Sequence, residues 1–463
     1  MNTISAQLAR FGQGMRFADL PPESVSQTKK LVLDFVGVSL AGLKTMALPR
    51  RLAEYFVELG GKPEATVFGA KQKLPAVNAA FVNAACGHAL DMDDGHRFAA
   101  LHPGTVVIPA ALAAAELHHA TTRQLIAGIT VGYEVMIRVG MAINPSSLNR
   151  GFHATGITGP FGAAAAAANI FGLDVESAEA ALGLAGLGGA GLLQVNHESE
   201  GSQAKPLTPA RAAMSGLLSA VLASRGTKAP QQIFEGSDGF LKAFSDKVDV
   251  ERLTHGLGED LEINRAYIKF YSACRHAHPA VDAALEAKRE ARMEAERIRS
   301  VRIETYPAVL RLAGIPHATS VSGARFSTSF SVALALVRGK AGASEYCDEN
   351  VRDQEIQGLA SRIEIVASER WEKLYPQKRG ATVTLFDEDG QSHLAEVELA
   401  KGEPENPASM EEVYEKFRRN AGLCLPCEET ESLGRVITRL ELIELDELTG
   451  LLLAGGGLAE ERI

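Results

Sequence analysis

The stretch His88-Ala-Leu-Asp91-Met-Asp93-Asp94-Gly95-His96, followed six residues on by His102-Pro103, places three imidazoles and three carboxylates within fifteen residues. Its flanks are apolar and alanine-rich. Ionisable groups are seldom set so close to a core unless they are paired or do chemistry. Imidazole and carboxylate together suit proton transfer near neutral pH. Histidine titrates there unperturbed, and an aspartate reaches that range when burial or a second acid raises its pKa.

Three more segments put polar groups ahead of apolar runs: Gly151-Phe-His153, Lys205-Pro-Leu-Thr208-Pro209, and Lys269-Phe-Tyr-Ser-Ala-Cys274-Arg275-His276-Ala-His278-Pro279. Each reads as a helix entrance, where unpaired N–H groups and the positive dipole end favour anions. With Lys205, Lys269 and Arg275 added, the entrances supply what an acidic protein needs to hold a small polycarboxylate, provided they meet in space.

Plainer readings stand beside these. His88 lies at helical spacing from Asp91 and is equally readable as a satisfied core histidine. Asp93-Asp94 reads alternatively as a solvated turn, and His153 as a loop residue bonded to backbone. His276 and His278 hint at a metal, but no carboxylate lies at ligand spacing, so no metal is expected. Cys424-Leu-Pro-Cys427 has neither a second ligand pair nor a thioredoxin-like context. Gly186-Leu-Gly188-Gly-Ala-Gly191 matches a dinucleotide fingerprint, yet it follows a helical run rather than a strand; close packing or a helix break explains it better.

The elements that must position these groups follow from periodicity. Helices are expected over 26–43, 77–90, 106–118, 122–143, 159–171, 175–187 and 209–224, with Thr158 and Thr208 as caps. After a charged helix over 279–299 the texture changes. Alternating apolar runs at 301–305, 362–366, 382–386 and 393–399 read as strands, with Asp387-Glu-Asp-Gly390 as a hairpin turn and a helix over 326–337 between them. The fold class is therefore mainly α with a smaller α+β domain. A helical domain over 1–265 leads into an α+β domain over 266–402. A helical segment over 403–463 packs back on the first.

Of 463 residues, 46% are apolar and 22% charged, enough for a folded core throughout. The net charge of −10 argues against nucleic acid and against acidic membrane surfaces. No signal peptide is apparent at the N-terminus, and apolar runs look interrupted before membrane-spanning length. Five scattered cysteines point to a reducing, cytoplasmic setting.

The run from Asn83 through His96, the His102-Pro-Gly-Thr-Val-Val-Ile-Pro-Ala segment, Gly151-Phe-His-Ala-Thr, Lys205-Pro-Leu and the Lys269–His278 segment together resemble the MmgE/PrpD family in order and rough spacing. That family includes 2-methylcitrate dehydratase, cis-aconitate decarboxylase and iminodisuccinate epimerase. The resemblance implies a homodimer with a large helical domain, a smaller α+β lid and an active site between them, without metal or cofactor. It implies Asp91, His102, His153, Lys205 and Lys269 as catalytic residues, with Asp93, His96, Arg275 and His278 as substrate-binding neighbours. Lys205 and Lys269 would stabilise charge, Asp91 and His102 would act as base and acid, and His153 would be the alternate acid. The expected activity is a hydro-lyase acting on a di- or tricarboxylate by proton transfer beside a carboxylate. Epimerisation or decarboxylation is the alternative, and a catalytically silent scaffold the rival of another class. Four departures from the family pattern weigh against cis-aconitate decarboxylase: Gly95 where a threonine is usual, a Gly95–His102 spacing one residue longer, Cys274 in place of a histidine, and Phe330 in place of a tyrosine.

Overall fold

The computed structural model describes residues 3–196 and 203–454. Helices dominate, with a smaller α+β part, as composition and periodicity imply. Helices Pro22–Thr45, Ala76–His88, Gly104–Leu117, Thr122–Ile143, Ala154–Ile170 and Leu207–Ser224 share one apolar core. Their alanine-rich faces let the backbones pack closely, which small side chains permit at little entropic cost. Helix Thr122–Ile143 is long and apolar enough to cross a bilayer, contrary to the expectation that such runs are interrupted. Its most apolar window is wholly buried among neighbouring helices, and it holds the Glu134–Arg138 ion pair.

Several helix bounds differ from the sequence reading, among them Pro22–Thr45, which starts four residues early. Ala154–Ile170 begins five residues early, with His153 at its N-cap; Thr158 lies inside and bonds back to the Ala154 carbonyl. It runs through Pro160 because the Gly156 carbonyl, deprived of its intrahelical donor, accepts from the Ala190 N–H at 3.4 Å. Leu207–Ser224 likewise starts ahead of Thr208. The charged helix stops at Ala291, where Arg292 turns left-handed (φ 49°), and the chain enters a strand at Ile298.

That strand, Ile298–Thr305, lies in a four-stranded sheet between Ile363–Ala367, parallel to it, and Ala381–Asp387, antiparallel. Ser392–Val397 completes the sheet through the predicted hairpin. Ala381, Val383 and Leu385 alternate inward, and helix His278–Ala291 packs against this strand. The sheet and helix Thr328–Arg338 form a second apolar core. The C-terminal helices return to the first core: Val413, Phe417, Leu433 and Ile437 belong to it, and Met410–Ala421 lies along Pro22–Thr45.

The glycine motif has no strand before it. Helix Val175–Ala185 runs into a 3-10 turn, Gly186–Gly188. A Cβ at Gly188 would meet the Ser215 hydroxyl at 1.9 Å, so close packing on helix Leu207–Ser224 explains the glycine.

Candidate active site

Helix Ala76–His88 ends on His88, and the chain turns at once into the acidic loop. Asp91 is left-handed (φ 49°), a conformation Asp adopts more readily than most residues but that still carries strain. The Gly95–His96 strand pairs with Ala266–Tyr267 and so ties this loop to the segment that delivers Lys269. The Lys269 ammonium donates to the Asp91 carbonyl at 2.7 Å and lies 3.3 Å from its Oδ1. Lys205, two residues before helix Leu207–Ser224, donates to the same Oδ1 from the other side. Both lysines and Asp91 are buried.

Beside this trio, His88 Nδ1 is 2.8 Å from Asp93 Oδ2, and His102 Nδ1 lies 3.4 Å from the same oxygen. His102 Nδ1 is also 2.7 Å from the Asp94 carbonyl, which only accepts. Nδ1 therefore carries the proton, and Nε2 presents a lone pair. The His102 ring sits 4.9 Å from His88, and His153 sits 6.0 Å from His88 on the other side. Buried His88 Nε2 and His153 Nδ1 have no hydrogen-bond partner among the described residues. Asp94 is held by the Gly104 N–H and the Tyr133 hydroxyl, which pins the loop to the Gly104–Leu117 helix.

Burial sets the protonation states. It pushes the His88, His102 and His153 pKa values well below 6.5, and the charges of Lys205 and Lys269 act in the same direction on His88 and His102, as Lys205 does on His153. All three imidazoles are neutral. Burial also raises Asp93, and Asp94 much further, the latter helped by the Asp93 charge. Asp91 is the exception. Burial would raise it, but Lys205 and Lys269 overcome that and hold it well below the usual carboxylate range. This corrects the expectation that neighbouring acids make Asp91 a strong base. Its ammonium partners stabilise the carboxylate, while His102 Nε2 keeps its lone pair.

Asp91, His102, His153, Lys205, Lys269 and Asp93 thus come together with His88. Three other predicted residues have partners of their own. His96 accepts from the Ala99 N–H and contacts Glu262 at 3.3 Å. Arg275 pairs with Glu403 at 2.9 Å, and His278 is taken up by Arg275 and the Ala273 carbonyl. His88, Asp93 and His102 each offer one possible ligand atom within 4.8 Å of the others, a spacing that a metal set would show. With Nδ1 protonated toward the Asp94 carbonyl, His102 would have only Nε2 to offer a metal.

Two of the four family departures sit in packing positions. A Cβ at residue 95 would lie 2.4 Å from the Tyr267 hydroxyl, so Gly95 answers to Tyr267. Phe330 is buried in the second core beside Tyr346. Cys274 alone is within electrostatic reach of Asp91 and Lys269. His88, Asp91 and Lys205 border a small, partly open pocket of about 30 Å³ together with Met46, Arg325 and Phe326.

The MmgE/PrpD N-terminal domain model matches residues 6–253, and the MmgE/PrpD C-terminal domain model matches residues 271–442. The chain belongs to the MmgE/PrpD family. It is similar over nearly its whole length to cis-aconitate decarboxylases. That of Aspergillus terreus is 28% identical, with 97% of this chain and 95% of the relative covered. The Homo sapiens protein is 26% identical, with 98% and 95% covered.

Proposed function

We propose that this chain is a cofactor-independent lyase of small polycarboxylates, with cis-aconitate the leading substrate. The observation that carries the reading is the convergence of two buried ammonium groups on Asp91 beside three neutral imidazoles. Decarboxylation and dehydration make the same demand on such a site. Negative charge develops next to a carboxylate, and a proton must be moved at carbon or at the leaving oxygen. Lys205 and Lys269 stabilise the developing charge, while His102 moves the proton through Nε2 and His153 is the alternate acid. In decarboxylation the C–C bond to the carboxylate breaks, CO2 departs, and the electron pair left behind takes up a proton at carbon. The decarboxylase relatives favour this outcome over the dehydration that the family resemblance first suggested.

The test is incubation in heavy water with cis-aconitate, citrate, 2-methylcitrate and related acids, followed by proton NMR. Loss of CO2 from cis-aconitate with deuterium entering the product is expected. Water loss from a hydroxy acid would move the chain to the dehydratases. Inertness toward the whole panel, beside an active family control, would end the enzyme reading.

The division at 1–265, 266–402 and 403–463, with the α+β domain as a lid, is part of the same reading, as is a cytoplasmic location. So is a homodimer. Leu187 and Leu192 are exposed beside helix Leu207–Ser224, whose outer face also exposes Leu218 and Leu222. Such an apolar stripe is costly in water and suits a second copy of the chain. Leu218→Glu is expected to halve the mass seen by light scattering without lowering helicity; an unchanged mass would relocate the interface.

A further inference from the structure

Arg325 is buried, charged and incompletely matched. It ends the Val321–Ala324 turn of helix in the α+β part and reaches across to the helical body. Nε donates to Ser272 Oγ at 3.1 Å, and Nη1 donates to the Ala89 carbonyl at 3.2 Å with Met46 Sδ at 3.6 Å. Ser272 donates in turn to the Leu90 carbonyl at 2.7 Å. One hydroxyl therefore sets the guanidinium against the loop that carries Asp91. Nη2 donates to none of the described residues, and no carboxylate among them forms an ion pair with Arg325. Burial draws its pKa down to about 10, so it remains charged.

Arg325 borders the same small space as His88, Asp91 and Lys205, and the Phe326 ring lies 5.1 Å from the Lys205 ammonium. Lys205, Lys269 and Arg325 bring three positive charges to one region, with the ionised Asp91 between the two lysines. Buried charge of one sign is costly unless matched, and a polycarboxylate supplies the missing anions. A guanidinium suits that task because its planar fork meets a carboxylate with two parallel hydrogen bonds.

We propose that Arg325 binds a substrate carboxylate remote from the reacting carbon, and so selects acids with two or more carboxylates. This rests on the lyase reading above. Ser272 keeps Nε in place while the carboxylate takes Nη1 and Nη2, displacing the Ala89 carbonyl and Met46. The contact between Arg325 and Ala89 is then the one that substrate replaces.

Binding of tricarballylate, an unreactive tricarboxylate, and of butyrate, a monocarboxylate, measured by calorimetry tests this. Arg325→Met is expected to weaken tricarballylate by about 100-fold while changing butyrate by no more than about two-fold. Arg325→Lys, which keeps the charge and loses the fork, should fall between, and it serves if the methionine variant does not fold. Ser272→Ala should weaken tricarballylate several-fold by freeing the guanidinium. Equal weakening of both acids would make Arg325 structural, and unchanged tricarballylate binding by both Arg325 variants would remove it from the site; either result overturns the assignment and leaves the lyase reading standing. A folded wild-type chain that binds neither acid overturns both.

Discussion

Replacing Lys205 by methionine is expected to lower turnover by about a thousandfold or more while leaving the melting temperature level or higher. The first half follows from the charge that the ammonium would stabilise as the reaction proceeds. A preorganised donor in a dry site acts without the reorganisation that water requires, and its loss is felt almost entirely in the transition state. The second half follows from the charge balance. Lys205 and Lys269 share one carboxylate oxygen of Asp91, so two buried cations face one anion. Without Lys205, Asp91 keeps Lys269 at 3.3 Å and the pair becomes one to one. Removing one partner of a balanced buried pair is strongly destabilising, whereas trimming a surplus cation is not. Steady-state kinetics alongside thermal unfolding decides the matter. A variant that unfolds with its activity would show Lys205 to be a strut, and one that stays active would remove it from the reaction.

His102→Asn is expected to reduce kcat/KM by about 10²- to 10⁴-fold, the range that positioned acid–base groups supply. Asparagine preserves the loop, because its amide can still donate to the Asp94 carbonyl now bonded by His102 Nδ1 at 2.7 Å. It offers no basic nitrogen in place of Nε2. The pH profile gives an independent reading. Burial places the His102 pKa well below 6.5, so the wild-type rate should hold as pH falls past 6.5 and decline only beneath it. The residual rate of the variant should lack that limb. Stability runs with the same sign. Where the unfolded chain takes up protons on its histidines, from about pH 6.5 downward, the native chain keeps His88, His102 and His153 neutral, so it loses stability as pH falls. An acid limb kept by the asparagine variant would assign it to another group, with His153 the next to examine.

Some of this was legible residue by residue. Apolar spacing marks most of the helices, alternation marks the strands of the sheet, and Asp387 to Gly390 announces the hairpin, because these signals are local and survive without knowledge of neighbours. The chemical types were legible too: imidazoles, carboxylates and lysines at helix entrances. Helix starts at Ala154 and Leu207 escaped, because the groups that permit them lie elsewhere. The Ala190 N–H that relieves Pro160 belongs to another segment.

What the chain order leaves open is who pairs with whom. Lys205 reaches Asp91 across 114 residues, and Lys269 reaches the Asp91 backbone across 178. Long-range partners also hold other candidates: Glu262 contacts His96, and Glu403 pairs with Arg275. Arg325 stood in no motif, and its place becomes visible only where its guanidinium meets Ala89, 236 residues away. Residue types and local periodicity thus determined the elements and the repertoire of chemistry, since both depend on neighbours along the chain. Protonation states and ion pairs were decided by tertiary structure, because burial and Coulomb interaction act through space.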